Sequence, residues 1–393
     1  MTDPLSSDVG GSVDRNWGYY SPVHVTFGID SLVGLPALLK RPSSLLLVST
    51  RGAERRGHVD RVRDLLQGHE LSSLDSVLEN PDVQSLGRQA ASLNGVPDII
   101  VAIGGGSTID TAKVLSFTLR SNLDGQSLTQ ALDEGVSPAR EACIPMIAIP
   151  TTAGSGSEVT PFATVWNRQT RRKHSLMGPG LFPHAAVVDP RLTSTVPGPV
   201  TVSTGLDALS QGLEAFWNRQ ASPITDALAT RAVRLVLDHL ARLSRAPDDL
   251  RLRSILMEAS LLAGLAIAQT RTGLAHSISY PLTAHHGLAH GVACAFTLPT
   301  ILEYNALERP ERFNQLAQQL GEASVTALSA RISKLLEDLA VGATLAQHEI
   351  GPGELEALQD ELISPGRAGN NLRYAGPDTA LFLAKEALSR LNR

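Results

Sequence analysis

The 393-residue chain has a formal net charge of −5 and no block of basic residues, which argues against a nucleic-acid partner. Its composition, 42% hydrophobic and 19% charged, is that of a folded globular protein, and its length predicts two domains. No apolar run approaches the ~20 residues of a membrane span, and the polar N-terminus lacks a signal-peptide pattern, so we expect a cytoplasmic protein with no membrane partner. Cys143 and Cys294 lie in apolar runs, which predicts buried thiols rather than a disulfide.

The first half of the chain alternates short apolar runs with helical spacing, after a tail over residues 1–16 that we expect to be flexible. Continuous apolar runs are typical of strands buried on both faces of a parallel sheet. The pattern predicts strands at 23–27, 45–48, 98–103, 144–150 and 185–190, helices at 31–39, 59–66, 83–93 and 108–119, and a hairpin formed by 162–166 and 174–177. We therefore expect an α/β domain over residues 17–198.

A run of small residues, Gly104, Gly105, Gly106 and Ser107, joins the strand at 98–103 to the helix that follows. Glycines let the backbone approach a phosphate, and a helix N-terminus points free N–H groups at it. A tight turn would need only one glycine, so the junction favours a dinucleotide site. It is not the GxGxxG sequence of ordinary Rossmann enzymes.

A second loop follows the strand at 144–150 and is rich in small hydroxyl residues, among them Thr151, Thr152 and Ser155. Ligands of open α/β sheets bind beyond the carboxyl ends of the strands. Two such loops after two strands of parallel type indicate one shared site. The alternative is that the second loop is simply flexible.

The second half of the chain begins after Pro197 and Pro199, which mark a boundary. Its apolar spacing is helical almost throughout, which predicts an all-α domain over residues 199–393. The predicted helices are 205–218, 222–243, 250–269, 292–306, 310–320, 324–339, 352–362 and 376–391.

Histidines cluster in the stretch 273–291, which contains His276, His285, His286 and His290. Imidazole is the commonest side-chain metal ligand, although polar turn residues are the ordinary alternative. Because Pro281 cannot continue a helix, we expect His276 on the last turn of one helix and His290 in or after the following turn. His286 and His290 lie four residues apart and form a rival helical pair, so the stretch does not choose its own ligands.

A possible second source of ligands is the start of the helix at 205–218, where Asp207 and Gln211 lie four residues apart and share a face. An aspartate is a good oxygen ligand for a divalent ion. An acid near a helix N-terminus is also favoured by the helix dipole alone, so this pair does not by itself identify a metal site.

Five motifs in this order make the chain resemble the group III, iron-containing alcohol dehydrogenases from about Tyr19 to Leu391. They are GGGSTIDTAK (104–113), PTTAGSGSEVTPFATV (150–165), DPRLTSTVP (189–197), TGLDALSQGLEAFW (204–217) and GLAHSISYPL with AHG (273–291). The resemblance implies the dehydroquinate synthase-like fold, with a divalent metal between an N-terminal α/β dinucleotide-binding domain and a C-terminal helical domain. We also expect a homo-oligomer, a dimer.

The family binds its metal with one Asp and three His. The resemblance therefore implies that Asp207, His276 and His290 bind Fe²⁺ or Zn²⁺, and it puts the fourth ligand at Gln211. A glutamine amide is a neutral and weaker ligand, so either Gln211 is a weak fourth ligand or tight metal binding has been lost. The implied candidates for proton donor are Tyr280 and His286.

The resemblance further implies NAD(P)H bound across the cleft. The residues implied in cofactor binding are Thr50, Gly104, Gly105, Gly106, Ser107, Asp110, Thr151, Thr152, Ser155 and Lys173. NAD-specific enzymes often place an acid near the position of Thr50, and here Arg51 follows instead. An arginine can meet a 2′-phosphate, so we expect NADPH to be accepted.

A narrower resemblance rests on FATVWNRQTRRKHSL (162–176) and TRTGLAHSISYPLT (270–283). Both are similar to the subfamily that reduces phosphonoacetaldehyde to 2-hydroxyethylphosphonate in phosphonate natural-product biosynthesis. A phosphonate needs cationic and N–H donors, which Arg271, Arg172 and His174 would supply unless they are solvated surface charges. The alternatives are a general short-chain alcohol dehydrogenase, a lyase of the dehydroquinate synthase type and a metal-poor, non-catalytic relative.

Overall fold

The computed structural model describes residues 16–39, 42–78, 81–168, 170 and 172–391. The predicted flexible tail, residues 1–16, lies outside this part except for Asn16. The strands are β1 (His24–Phe27), β2 (Ser44–Val48), β3 (Glu70–Leu74), β4 (Ile99–Gly104), β5 (Met146–Pro150), β6 (Phe162–Asn167), β7 (Arg172–Met177) and β8 (Ala185–Val188). The helices among them are α1 (Arg51–Arg55), α2 (His58–Leu65), α3 (Val83–Ala91), α4 (Gly106–Arg120) and α5 (Gly125–Asp133).

The helical half follows without a further strand among its described residues. Its helices are α6 (Gly198–Phe216), α7 (Pro223–Arg245), α8 (Leu250–Thr270), α9 (Leu274–His286), α10 (His290–Ala295), α11 (Leu298–Ala306), α12 (Pro310–Gln319), α13 (Val325–Asp338), α14 (Val341–Gln347), α15 (Pro352–Ala357), α16 (Pro365–Ala368) and α17 (Pro377–Leu391). In the described part of the chain no helix is both long enough and apolar enough to cross a membrane.

Six strands form one parallel sheet in the order β1-β8-β5-β4-β2-β3, and β6 and β7 pair separately as an antiparallel hairpin. The central strands are buried on both faces, as their continuous apolar runs predict. β4 and β5 are neighbours whose last residues, Gly104 and Pro150, are paired. The loops that follow these two strands therefore begin side by side, as the sequence pattern predicts.

Several elements differ from the prediction. The segment predicted as a helix at 31–39 is a 3-10 helix, Ser31–Leu38, and the polar edge strand β3 has no apolar run that would reveal it. The predicted helix 292–306 is divided into α10 and α11, and 352–362 into α15 and a 3-10 turn. Helix boundaries of this kind depend on tertiary packing as much as on apolar spacing.

The prediction that Pro281 ends a helix is wrong. α9 runs through Pro281 to His286, so His276 lies in its first turn and not in the last turn of a preceding helix. Burial of Leu274, Ile278 and Leu282 stabilises α9 on both sides of the proline and outweighs the local cost of the missing N–H.

The hairpin of β6 and β7 is fixed to α4 by a buried lysine. Lys113 is fully buried, and its ammonium donates to the carbonyl oxygens of Thr160 at 2.8 Å and Phe162 at 2.9 Å and to Ser157 Oγ at 3.0 Å. Burial, only partly offset by Asp110 and other acids, lowers the pKa of Lys113 to about 8. The ammonium therefore satisfies buried carbonyls at the start of the hairpin and fixes its position.

Replacing Lys113 by Met should leave the two carbonyls buried without a donor. Each loss costs about 1–3 kcal/mol, so thermal and urea unfolding should show a clear fall in the free energy of unfolding. Lys334→Met is the matched control, because the described ion pairs of Lys334 lie at the surface, where such pairs contribute little to stability. Equal stability of the two variants would show that Lys113 does not hold the hairpin.

Candidate active site and metal centre

The two loops beyond β4 and β5 touch each other. A Cβ on Gly106 would lie 2.7 Å from Ser155 Oγ, and one on Gly105 would lie 3.2 Å from Thr152 Oγ1. Gly105 also caps α4 without a side-chain hydrogen bond to its first N–H groups. The glycines thus allow the loop after β5 to pack against the N-terminus of a 15-residue helix, a position that suits the pyrophosphate of a dinucleotide.

Two other residues assigned to the cofactor have partners within the protein. Asp110 Oδ1 accepts from Ser157 Oγ at 2.5 Å and its Oδ2 from the N–H of Thr164 at 2.8 Å. Asp110 therefore also fixes the hairpin beside Lys113. Thr50 follows β2 and caps α1 by accepting from the N–H of Ala53 at 3.1 Å.

A cluster of possible metal ligands lies where α6, α9 and α10 meet. One donor atom each of Asp207, His276, His290 and Cys294 lies within 4.8 Å of all the others. His276 Nε2 is 3.3 Å and His290 Nε2 4.0 Å from Asp207 Oδ1. Three of these residues belong to the predicted set of Asp207, Gln211, His276 and His290, and Cys294 was not predicted as a ligand.

The close approach of α10 to α6 explains why His290 reaches Asp207. A Cβ on Gly291 would lie 1.7 Å from the carbonyl oxygen of Ser203 and 2.9 Å from the backbone nitrogen of Asp207. Only glycine fits there. The residue after His290 therefore allows the first turn of α10 to pack directly on the α6 backbone beside Asp207.

Glu214, fully buried on α6, orients His276. Its carboxylate accepts from the N–H groups of Gly273 at 2.9 Å and His276 at 3.2 Å, and so caps α9. Its Oε2 is also 2.6 Å from His276 Nδ1. Nδ1 of His276 therefore faces Glu214 and Nε2 faces Asp207, so a proton held on Nδ1 by Glu214 would leave Nε2 as the atom that binds a metal.

The orphaned oxygens of the cluster fit a cation. Asp207 Oδ1 and Gln211 Oε1 are buried and have no accepted hydrogen bond within the described structure. Burial alone raises the pKa of Asp207, but the neighbouring His276 and His290 outweigh it and lower that pKa. Burial likewise raises the pKa of Cys294, whereas His276 and His290 bring it down to about 7. Oxygen, nitrogen and sulfur donors converge here, as divalent transition metals require.

A cavity of about 230 Å³ lies beside this cluster, between the hairpin and the helical half. The cationic or titratable residues among its described lining are Lys173, His174, Arg271, Tyr280 and Arg367, and its described lining holds no aspartate or glutamate. β7, the start of the α8–α9 connection, α9 and α16 supply these side chains. The side chain of Arg172, also predicted here, lies outside the described part of the structure.

Tyr280 connects the cavity to the ligand cluster. Its ring stacks on His290 with centroids 6.3 Å apart, and Lys173 Nζ is 3.5 Å from its centroid. Its hydroxyl accepts from Arg367 Nε at 2.9 Å. Burial raises the pKa of Tyr280, but Lys173, Arg367 and His276 outweigh it and lower that pKa to about 7.

Arg271 has a strained backbone, with φ 64° and ψ −179°, a region that is nearly exclusive to glycine. Such strain costs about 1–3 kcal/mol and gathers at functional sites. Burial, and then the charge of Arg367, lower the pKa of Arg271. Two guanidinium groups thus face one cavity without a described carboxylate between them.

His286 is not brought to this site. It ends α9, where its Nε2 lies 2.9 Å from Glu354 Oε1, and it lines neither the cavity nor the ligand cluster. His285 is similarly placed beside Glu361, at 2.8 Å. Of the rival histidine pairs in the sequence, the structure brings together His276 and His290, whose ring centroids are 5.2 Å apart.

Three residues of the site were missed by the sequence analysis: Glu214, Cys294 and Arg367. Glu214 follows Asp207 by seven residues and therefore shares its helical face, and Cys294 follows His290 by four. Both spacings were available as signals. Arg367 lies on the four-residue helix α16, almost a hundred residues from Arg271, and no sequence feature between them indicates that both line one cavity.

Comparison with known proteins gives a consistent result. Residues 22–190 match the family profile of the iron-containing alcohol dehydrogenases, and residues 201–387 match the C-terminal profile of the Fe-containing alcohol dehydrogenase family. The chain is 30% identical over 389 residues to the 1,3-propanediol dehydrogenase of Klebsiella pneumoniae, covering 95% of this chain and 99% of that one.

Two further relatives act on aldehydes that carry an acidic group. The phosphonoacetaldehyde reductase of Streptomyces viridochromogenes is 36% identical over 287 residues, 71% of this chain and 72% of that one. The sulfoacetaldehyde reductase of Bifidobacterium kashiwanohense, solved in complex with NAD⁺, superposes with a TM-score of 0.86 at 29% identity, covering 95% and 99% of the two chains. The chain therefore belongs to the iron-containing alcohol dehydrogenase family, whose members are oxidoreductases that use NAD(P) and a divalent metal.

Proposed function

We propose that this enzyme reduces phosphonoacetaldehyde, or a close analogue that carries a phosphonate, to the primary alcohol with NAD(P)H. The observation that carries the proposal is the cavity beside the ligand cluster, which gathers Lys173, His174, Arg271 and Arg367 and has no described acidic lining residue. A small aldehyde would place its carbonyl toward the cluster and its charged end in this cavity.

The number of positive charges favours a dianion. Arg271, Arg367 and Lys173 are positively charged. Among the described lining residues of the cavity, only Tyr280 can carry a negative charge. A phosphonate at neutral pH approaches two negative charges, as a phosphate group does, whereas a sulfonate carries one. A guanidinium group can also donate two parallel hydrogen bonds to two oxygens of one phosphonate group. The named activities of the two relatives support an oxyanion substrate without choosing between them.

The metal and the nicotinamide would supply the electrophile and the hydride. When bound, a divalent metal polarises a carbonyl as a Lewis acid, and the reduced nicotinamide transfers hydride to it. Asp207, His276 and His290 would hold the metal, while Glu214 keeps the His276 ring in place. Tyr280 would deliver a proton to the product oxygen, because its hydroxyl is fixed by Arg367 next to His290.

The cofactor would bind across the two touching loops. Gly105 and Gly106 would take the pyrophosphate at the α4 N-terminus, with Thr152 and Ser155 on the nicotinamide side. Near the adenosine ribose, Thr50 is followed by the exposed Arg51 and by no acid, so we propose that NADPH is accepted as well as NADH.

Wild-type enzyme should prefer phosphonoacetaldehyde to propanal in kcat/KM by roughly a hundredfold or more, from two charged contacts of about 1.5–3 kcal/mol each. Sulfoacetaldehyde should fall between them. Arg271→Gly should cost the phosphonate substrate roughly ten- to a hundredfold and propanal little. Steady-state kinetics with NADH and NADPH measure all three.

Glycine is the informative substitution at Arg271 because it removes the guanidinium and also relieves the backbone strain. Arg271→Gly should be at least as resistant to thermal unfolding as wild type, so a loss of activity cannot be attributed to unfolding. Equal losses on both substrates would remove Arg271 from the substrate site. Comparable wild-type efficiency on propanal and phosphonoacetaldehyde would leave a general alcohol dehydrogenase.

Glu214→Gln should weaken metal binding about 10- to 100-fold, the usual cost of removing the hydrogen-bond partner of a histidine ligand. The amide keeps the shape of the side chain but loses the negative charge that faces His276 Nδ1. Competition with a coloured chelator measures the affinity directly. Unchanged affinity would mean that Glu214 only caps α9.

Tyr280→Phe should lower kcat by about 10²–10⁴-fold, the range that general acid catalysis contributes. Metal content and the equilibrium affinity for 2-hydroxyethylphosphonate should change little, because the ring and the cavity cations remain. A kcat within a few-fold of wild type would exclude Tyr280 as the proton donor.

A further inference from the structure

We propose that Cys294 binds the metal as a thiolate and completes a ligand set of Asp207, His276, His290 and Cys294. Gln211 then stays outside the set as a hydrogen-bonding neighbour of Asp207. The inference rests on the proposed metal dependence of the enzyme, but it concerns binding and is independent of the substrate.

The spacing of the donor atoms fits a single ion. Metal–ligand lengths of about 2.0–2.3 Å put two donor atoms of a tetrahedral site roughly 3.3–3.6 Å apart. In the structure, His276 Nε2 is 3.3 Å from Asp207 Oδ1, and Cys294 Sγ is 3.7 Å from His290 Nε2. The remaining pairs in the cluster stay within 4.8 Å, so small side-chain rotations would close the set.

Position on α10 gives the thiol this place. Cys294 follows His290 by one helical turn, so both side chains lie on the face that packs against α6. The thiol is fully buried, and its polar neighbours are the two imidazoles. A cysteine that only filled space would not need to sit beside the orphaned Oδ1 of Asp207.

Ligand strength favours the thiolate over the glutamine amide. A thiolate is an anionic and soft ligand, whereas the amide oxygen of Gln211 is neutral and binds a transition metal more weakly. Gln211 is placed to act on Asp207 instead, because its side chain helps to lower the pKa of that carboxylate.

Two consequences follow for the chemistry of the site. Metal binding should release the thiol proton to solvent, since only the thiolate is a ligand. A thiolate also makes the donor set softer than one of oxygen and nitrogen alone, which favours zinc over iron.

Cobalt(II) provides the test, since thiolate bound to Co²⁺ gives an intense charge-transfer absorption in the near ultraviolet that oxygen and nitrogen ligands lack. Metal-free enzyme, without substrate or cofactor, is titrated with Co²⁺ under anaerobic conditions, and the zinc affinity is measured separately by chelator competition. The variants are Cys294→Ser, Gln211→Ala and Cys143→Ser. Cys143 is the matched control, the other cysteine of the chain and also buried.

Wild type, Gln211→Ala and Cys143→Ser should all show the charge-transfer band, and Cys294→Ser should lack it. Zinc affinity should fall in Cys294→Ser by more than the roughly 10- to 100-fold that loss of a ligand's hydrogen-bond partner costs. Absence of the band from the wild-type cobalt protein overturns the proposal even if a variant fails to fold. So does a band retained in Cys294→Ser, or zinc binding that depends on Gln211 and not on Cys294. Because no substrate is present, these outcomes are independent of the phosphonate preference.

Discussion

The geometry of the site depends on the hydrogen bonds of the buried Glu214 carboxylate. It caps α9 by accepting hydrogen bonds from the N–H groups of Gly273 and His276, and it also lies at hydrogen-bond distance from Nδ1 of the His276 ring. An unpaired carboxylate with no exposed surface would strongly destabilise the fold. These three contacts are therefore what makes it possible to bury the carboxylate of Glu214 here. The same contacts fix the direction of α9, the orientation of the His276 ring and the distance from α9 to α6.

Much of this arrangement could be predicted from the sequence, but for two different reasons. The α/β sheet and the helical half follow from apolar spacing, which local physics determines. Asp207, His276 and His290 came from motifs, and spacing alone left rival pairs such as His286 and His290 open. The structure separates them, because His286 has Glu354 as its partner and lies outside the ligand cluster.

What sequence reasoning missed was decided by tertiary contacts. Pro281 reads locally as a helix end, yet burial on both sides keeps α9 continuous and moves His276 to its first turn. Arg367 reaches Tyr280 from a helix 87 residues further along the chain, so no local pattern could connect them.

The connection between α8 and α9 joins the cationic cavity to the cluster of candidate metal ligands. It is only three residues long, 271–273, and is held from several sides: Asn218 donates to the carbonyl of Arg271 at 3.4 Å, Asn370 to that of Thr272 at 2.8 Å, and Glu214 receives the N–H of Gly273. One end carries the strained Arg271, and the other begins the helix turn that presents His276. Because the connection is short and tethered, the backbone of Arg271 cannot shift without disturbing the capped N-terminus of α9. The spacing between the root of the Arg271 side chain and His276 is therefore set by the backbone of the protein, and the proposed preference for a small charged aldehyde depends on this spacing.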